Sequence, residues 1–291
     1  MRPPSTANAP IEVLQQALEA GYFNAEGIYS ETKPQKLQPG LDIERHCLEV
    51  KYDPRTAVGL TLLEIENHEL GLYLGSGWDG FSILAARKCR AIVDVNDSYT
   101  LQRQKQILLG KEHIDNFFLL NCDPEKDLKL FNLFDFAVVN GGLKALPDAA
   151  ASRVKRRGHL KYLQQIYSSL TCNGRLYLAA QNKCDYQSYI RLNGSNINPR
   201  YSFSAMEKLL KEAGFRNVRK YAVFPDIHCP RKIIPMKRVD SCSYMPIYNI
   251  TSNGGLLVKI FRKIRTYLDI IVFKKAKMYF LAPGYILLAQ K

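Results

Sequence analysis

A glycine-rich turn between an apolar segment and a helical one is the first place where the residue types suit a chemical role. The segment GLYLGSGWDGF spaces Gly75, Gly77 and Gly80 as G-x-G-x-x-G, a pattern typical of turns that carry the backbone close to a bound nucleotide. Asp94 closes the next apolar segment, roughly 20 residues further on, where a carboxylate accepts hydrogen bonds from ribose hydroxyls. The two features together predict a nucleoside site at this turn.

Two further aspartates extend the pattern. Asp79 stands at the start of the segment DGFSILAARK, where a helix N-cap is expected. Asp123 ends the segment NCD, at a sheet edge that an adenine amino group can reach. NAD, FAD and S-adenosylmethionine (SAM) all contain adenosine, so these residues fit all three. The alternative is a tight strand–helix turn beside a surface aspartate, without a ligand.

Alternating apolar and helical segments surround these residues and must position them. Strands are predicted over LGLYLG, RAIVDV, NFFLLNCD, FDFAVVNG and GRLYLAAQN, and helices over DPRTAVGLTLLEIE, DGFSILAARK, DSYTLQRQKQILL, GHLKYLQQIYSSL and SFSAMEKLLKEAGF. The tail continues with a strand entering a proline-rich loop, a basic amphipathic helix over Gly254–Lys277 and a closing strand, GYILLAQ. Repeated strand–helix units predict a mainly parallel, doubly wound sheet that binds its ligand at the carboxyl ends of the strands.

The segment VVNGGLKALPD, at the end of the fourth strand, resembles the class I SAM-dependent methyltransferases. Their fourth strand ends in a segment like ngvLeHlPD, and five residues align with it: Asn140, Leu143, Leu146, Pro147 and Asp148. The sequence departs from the family at Tyr73, where an acidic residue is usual, and at Asp79, where a third glycine often sits. Lys144 and Ala145 replace a common Glu-His pair.

The resemblance implies a fold, a cofactor and a set of contacts. The fold is α/β: a Rossmann-like, doubly wound sheet, mostly parallel with an antiparallel C-terminal strand, plus helical N-terminal and C-terminal cap segments. The cofactor is SAM, and no metal is expected. The implied cofactor-binding residues are Tyr73, Gly75, Ser76, Gly77, Trp78, Asp79, Asp94, Val95, Cys122, Asp123, Asn140 and Gly141. The implied organisation is a cap over 1–52, the SAM-binding core over 53–225, an insertion over 226–278 and the last core strand over 279–291.

The carboxyl half is similar to a narrower branch, bacterial methyltransferases that occur beside glycan- and natural-product-modifying enzymes. The matching residues are Asn182, Phe203, Ala213, Gly214, Phe215, Tyr221, Phe224, Pro225, Asp226 and Pro230. This resemblance implies natural-product biosynthesis, with the methyl group passing to an oxygen or nitrogen of a small molecule, a natural-product peptide, or a glycan or lipid-linked acceptor.

The stiff segment FPDIHCP carries the candidates for general base, Asp226 and His228. A base is needed only if the acceptor is a poor nucleophile at neutral pH, such as an alcohol. The alternative for His228 is a hydrogen-bonded loop histidine. Tyr221, Phe224 and Asn182 are the candidate acceptor-binding residues, and for the two aromatic side chains a place in the core is the alternative.

The net charge of +14 favours an anionic partner or simple solubility. The basic helix Gly254–Lys277 has three interpretations: contact with an anionic membrane surface, contact with RNA, or a cap over the site with solvated lysines. RNA is disfavoured because no RNA-binding module is recognisable.

Two features of the sequence favour a cytoplasmic location for the protein. The first residues lack the apolar segment of a signal peptide, and no two of the 7 cysteines are spaced as C-x-x-C. The predicted location is therefore cytoplasmic, with peripheral contact at the inner membrane face left open. The alternatives to a methyltransferase are an NAD-dependent oxidoreductase and an RNA- or membrane-binding protein that retains the fold.

Overall fold

The computed structural model describes residues 54–75, 80–96, 105–106, 109–110, 113–121, 128, 130–141, 143, 152–183, 201–224, 227, 230, 232–236 and 282–291. The segment 1–52 and the helix predicted over Gly254–Lys277 lie outside these residues.

One sheet organises this part of the chain. Its strands are β1 (Leu70–Gly75), β2 (Ala91–Asn96), β3 (Phe117–Asn121), β4 (Phe134–Asn140), β5 (Leu170–Gln181), β6 (Arg216–Phe224), β7 (Lys232–Pro235) and β8 (Gly284–Gln290). Their order across the sheet is β3-β2-β1-β4-β5-β8-β6-β7. The first five strands pair parallel with one another, whereas β8 runs antiparallel to both β5 and β6. The predicted fold, a mostly parallel Rossmann-like sheet with an antiparallel C-terminal strand, is confirmed.

The parallel strands form because they are apolar on both faces, as strands covered by helices on either side must be. All residues of β1 and β2 are buried. Alternate residues of these strands pack into two separate hydrophobic cores, one on each face of the sheet. Leu72 and Val93 belong to one core, and Tyr73, Ile92 and Phe136 belong to the other. The sheet is therefore a rigid central layer, and its carboxyl edge is held from both sides.

Among the described residues, the helical segments with printed bounds are a 3-10 helix (Pro54–Leu62), α1 (Gly80–Ala86), α2 (Ser152–Ser169) and α3 (Phe203–Glu212). Residues 105–106 and 109–110 are also helical. Ser202 is the N-cap of helix α3, and its side chain accepts a hydrogen bond from the Ala205 backbone N–H. It stops before Gly214, whose N–H donates to the Lys211 carbonyl. Both ends agree with the sequence pattern.

The strand order reverses between β1 and β4, and this reversal positions the site. Strands β2 and β3 lie on one side of β1, and β4, the next strand in the chain, pairs with the opposite edge of β1. A crevice forms at such a switch point, outside the carboxyl ends of the two strands. Gly75 and Asn140, the last residues of β1 and β4, face each other in register there.

Within the tail, strand β7 lies inside the segment 226–278 that the sequence assigned to an insertion, and it pairs antiparallel with β6. Strand β8 covers the same residues as the predicted segment GYILLAQ. In the part of the chain that the structure describes, no helix is long and apolar enough to cross a membrane.

Candidate functional site

Side-chain amides end the strands at the carboxyl edge of the sheet. Strands β2, β3 and β4 end in Asn96, Asn121 and Asn140, and we call these three residues the amide rim. Asn96 lies in register with Asn121, and Asn140 lies in register with Gly75. Asn96 donates a hydrogen bond from Nδ2 to the Gly75 carbonyl over 2.8 Å. The rim therefore runs along both sides of the β1 terminus at the switch point.

An ionic layer lies one step below the rim, on the same face of the sheet. Tyr73 and Asp94 are in register on β1 and β2, two residues before Gly75 and Asn96. Asp94 is 0% exposed, and its Oδ2 accepts a hydrogen bond from Nζ of Lys105, which is itself 2% exposed. The same Nζ lies 5.1 Å from the centre of the Tyr73 ring. In this structure the predicted ribose carboxylate is engaged by a buried lysine.

The structure gives a packing reason for glycine at position 75, in addition to the predicted one. The sequence pattern suggests that its missing side chain lets a ligand approach the backbone. The structure shows that a Cβ on Gly75 would overlap the Tyr73 ring, because that ring lies along β1 beneath the glycine. The aromatic residue that replaces the family's usual acid at position 73 is thus accommodated by the glycine two residues later.

Aromatic side chains support the site from below. Tyr73 packs against Phe81 of α1 with ring centres 6.4 Å apart, and Phe81 packs against Tyr177 of β5 at 5.1 Å. Gly59, in the 3-10 helix, has no room for a Cβ beside the Tyr177 hydroxyl and the Phe81 ring. The segment before β1 is consequently locked to the same cluster that holds Tyr73 in place.

The turn after β4 begins at Gly141, which has φ +103°. L-amino acids with a side chain rarely adopt this conformation, so glycine suits the position. Its N–H donates to the Ala179 carbonyl of β5 over 3.2 Å. The chain therefore turns sharply at the end of β4, beside Asn140 and Gly75.

Asn182, predicted to contact the acceptor, lies just beyond β5 and is 1% exposed. Its Nδ2 donates to the Ala282 carbonyl over 2.9 Å, and its backbone N–H donates to the Pro283 carbonyl over 3.0 Å. In this structure the Asn182 amide connects the end of β5 to the start of β8.

A buried histidine and two tyrosines lie near the same end of β5. Nδ1 of His159, on α2, is 2.7 Å from the Tyr201 hydroxyl, and Tyr285 of β8 donates to the Tyr201 carbonyl. Burial raises the pKa of Tyr201, and the nearby Arg156 guanidinium opposes this only in part. Tyr201 is therefore a neutral phenol at physiological pH, suited to a hydrogen bond with His159.

The remaining predicted residues fall into two groups. Tyr221 is half-buried against the core cluster of Ile227 and Ile286, Phe224 is buried at the end of β6, and Val95 points into the core on the opposite face from Asp94. The rest lie outside the described residues: Ser76, Gly77, Trp78, Asp79, Cys122, Asp123, Asp226 and His228. Their assignments stay predictions.

Three residues of the site were missed by the sequence-based prediction: Asn96, Asn121 and Lys105. Asn96 had a usable signal, because residues two apart on a strand share a face, and it follows Asp94 at that spacing. The sequence signal for Lys105 was weaker. Lys105 belongs to the helix predicted after β2, but helix periodicity does not show which turn of that helix reaches the sheet edge.

The site has the chemistry of a nucleoside-binding edge. A side-chain amide both donates and accepts hydrogen bonds, which suits ribose hydroxyls and the adenine ring. Two rim amides, Asn96 and Asn140, border the glycine at the switch point. Lys105 bonds to Oδ2 of Asp94, and this bond by itself does not exclude a ribose hydroxyl from the other carboxylate oxygen. The residues present therefore fit a nucleoside.

Comparison with known proteins identifies the fold. No protein-family model and no curated protein sequence matches the chain. Among solved structures, a SAM-dependent methyltransferase from Archaeoglobus fulgidus aligns with a TM-score of 0.50 and 15% identity, over 81% of this chain and 92% of that one. A SAM-dependent methyltransferase from Thermotoga maritima aligns with a TM-score of 0.51 and 13% identity, over 85% of this chain and 94% of that one.

A third similar structure contains the spent cofactor. Phosphoethanolamine N-methyltransferase 2 from Haemonchus contortus, in complex with phosphomonomethylethanolamine and S-adenosylhomocysteine (SAH), aligns with a TM-score of 0.50 and 14% identity. The alignment covers 82% of this chain and 53% of that protein, so this chain spans about half of its length. At such identities the likeness establishes the methyltransferase fold and no more.

Proposed function

We propose that the chain is a SAM-dependent methyltransferase. The observation that carries the proposal is the likeness of its fold to SAM-dependent methyltransferases over 81% and 85% of the chain. The crevice between β1 and β4, bordered by Gly75 and Asn140, supports it, because ligands of doubly wound sheets bind at this position. The sequence resemblance in VVNGGLKALPD supports it independently of the fold.

The main catalytic task of the protein in this proposal is to position the acceptor atom. Bound SAM supplies an electrophilic methyl group on a sulfonium, so catalysis depends on holding the acceptor atom in line with it. We assign cofactor binding to the carboxyl edge of β1, β2 and β4. The aromatic cluster of Tyr73, Phe81 and Tyr177 makes that edge rigid, which lowers the entropy lost when a ligand is ordered there.

The acceptor in this proposal is an oxygen or nitrogen of a small molecule, a natural-product peptide, or a glycan or lipid-linked compound. The support is the resemblance of the carboxyl half to the branch described above. Tyr221, Phe224 and Asn182 are assigned to acceptor binding, and Asp226 or His228 to proton removal when the acceptor is an alcohol. An amine acceptor would need no such base if it is already unprotonated at the working pH.

Transfer of a radiolabelled methyl group from SAM into fractionated cell extract tests the proposal, with the labelled product then identified. We expect one labelled compound with a hydroxyl or amine as the methylated group. Label in no fraction, together with no binding of SAH, would refute the proposal. Saturable binding of NADH in place of SAH would favour an oxidoreductase instead.

The catalytic assignment has its own test once an acceptor is known. His228→Gln should lower kcat about 10²–10⁴-fold if the acceptor is an alcohol and His228 is the base. His68→Gln is the matched control, because the His68 side chain is 72% exposed and precedes β1 at the opposite edge of the sheet. An unchanged kcat in both variants would assign His228 to the loop structure.

A further inference from the structure

The carboxylate that the sequence predicts for the ribose is deeply buried. Asp94 is 0% exposed. A carboxylate that is buried without a counter-ion takes up a proton, because burial disfavours its charged form. A protonated carboxyl group is a weaker acceptor than a carboxylate, since hydrogen bonds to charged groups are about twice as strong as neutral ones. Asp94 can therefore bind ribose hydroxyls strongly at this depth only if the protein places a positive charge beside it.

Lys105 places that charge. Its Nζ donates a hydrogen bond to Oδ2 of Asp94, and the lysine side chain is itself 2% exposed. A carboxylate has about four acceptor positions on its two oxygens, so one bond from a lysine leaves its capacity for further hydrogen bonds largely intact. The same bond restricts rotation of the carboxylate group. Lys105 thus supplies Asp94 with both a counter-charge and a fixed orientation.

The Tyr73 ring completes the surroundings of the lysine. Tyr73 lies in register with Asp94 on the neighbouring strand, and Nζ of Lys105 is 5.1 Å from the centre of its ring. An aromatic face attracts a cation without neutralising it. An acid at position 73, as in the methyltransferases that the sequence resembles, would lie on the same face as Asp94 and compete for the ammonium group. With a tyrosine there, the charge of Lys105 is directed to Asp94.

We infer that Lys105 is a positioning residue of the cofactor site, which keeps the Asp94 carboxylate ionised and oriented to accept hydrogen bonds from the ribose hydroxyls. The inference rests on the proposed function. It gives the buried pair a part in ligand affinity as well as in stability. An ion pair that only held the helical segment of Lys105 against β2 would behave differently, because its loss would not distinguish ligands with ribose hydroxyls from ligands without them.

Calorimetric titration of the full chain with two ligands tests the inference. One ligand is SAH, and the other is the analogue of SAH that lacks both ribose hydroxyls. The wild type should bind the analogue about 10-fold more weakly than SAH or worse, as expected when hydrogen bonds to a charged group are lost. The melting temperature of each protein is measured alongside, so that only folded variants are compared.

Lys105→Met removes the counter-charge. It should raise the Kd for SAH about 10-fold and leave the Kd for the analogue within about threefold of the wild type, because only the ribose contact is weakened. Lys161→Met is the matched control: it makes the same chemical change at an exposed position of α2 and should leave both values unchanged. If Lys105→Met does not fold, Lys105→Gln gives the second readout, because it keeps a side-chain N–H donor and removes the charge.

The outcomes separate the inference from the function on which it rests. If the wild type binds neither ligand, the proposed function and the inference both fail. If the wild type binds SAH and the analogue equally, the proposed function stands and the inference alone fails. If a folded Lys105 variant loses affinity for both ligands by the same factor, or for neither, the lysine is only a structural support and the inference is wrong.

Discussion

The Tyr73 ring occupies the space that a side chain on Gly75 would need. The two residues are therefore coupled: an aromatic at position 73 requires glycine at position 75. This relationship explains how the chain accommodates a tyrosine where the methyltransferases that it resembles carry an acid. The ring is 0% exposed and packs on Phe81, so it has little freedom to move aside.

Gly75→Ala should therefore destabilise the fold by about 1–3 kcal/mol, the usual cost of overpacking a core. Urea denaturation measures the loss. Gly110→Ala is the control, because a Cβ on Gly110 meets nothing within 4 Å and the residue is helical and exposed. It should be neutral or stabilise by about 0.5–1 kcal/mol. Equal losses in the two variants would contradict the coupling, and Tyr73→Leu should restore part of the stability lost in Gly75→Ala.

The Asp94–Lys105 pair should be strongly coupled in stability. Either Asp94→Leu or Lys105→Met alone should cost about 3–5 kcal/mol, because each leaves a buried charge unpaired. The double variant should cost much less than the sum of the two. A double-mutant cycle by urea denaturation measures the coupling. Additive losses would show that the two side chains do not form the buried pair in solution.

Stability should also depend on pH through Glu207. Burial would raise the pKa of Glu207, but hydrogen bonds from Lys220 and Lys211 outweigh it and lower the pKa below its usual 4.5. A carboxyl group with a lowered folded-state pKa contributes stability above its unfolded-state pKa and loses it as pH falls through the folded value. Glu207→Gln should thus cost about 1 kcal/mol at pH 7, with the difference from wild type shrinking as pH falls below 4.5 and through the lower folded-state pKa.

Melting curves of the two proteins from pH 7 to pH 3 measure this dependence. Lys208→Ala is the control, because that lysine is an exposed residue of the same helix. A difference that grew toward acid pH would contradict the sign of the effect.

The buried thiol of Cys89 should be chemically inert in the folded protein. Burial raises its pKa to about 12, against weaker opposing hydrogen bonds. At pH 8 only about one molecule in 10⁴ would then carry the reactive thiolate. A pulse of iodoacetamide followed by peptide mapping should modify the exposed Cys172 and spare Cys89 until denaturant is added. Equal labelling of both in the native protein would refute the burial.

Much of the sheet could be predicted from the sequence because its strands are short apolar runs bounded by polar residues. LGLYLG and GYILLAQ coincide with β1 and β8. Helix α2 was predicted less well: it begins at Ser152, six residues before the predicted start at Gly158. A glycine after a basic segment resembles a helix boundary, but the packing of Leu163 and Ile166 in the core stabilises the whole helix.

The site could be predicted only as far as strand ends and turns are visible in a sequence. Gly75, Asn140 and Gly141 were located correctly at the carboxyl edge, because each follows a buried apolar run. The partnership of Asp94 with Lys105 could not be predicted, since it depends on how a helix docks on the sheet.

Titration of the purified full chain with SAH, with NADH as the comparison ligand, tests the central claim most directly. We expect one SAH site per chain, with a Kd within the range of about 1 µM to 1 mM that is usual for enzyme substrates. It also predicts a rise in melting temperature with SAH concentration, because a ligand of the native state stabilises it. Saturable binding of NADH, with neither heat nor a melting shift from SAH at several millimolar, would contradict it.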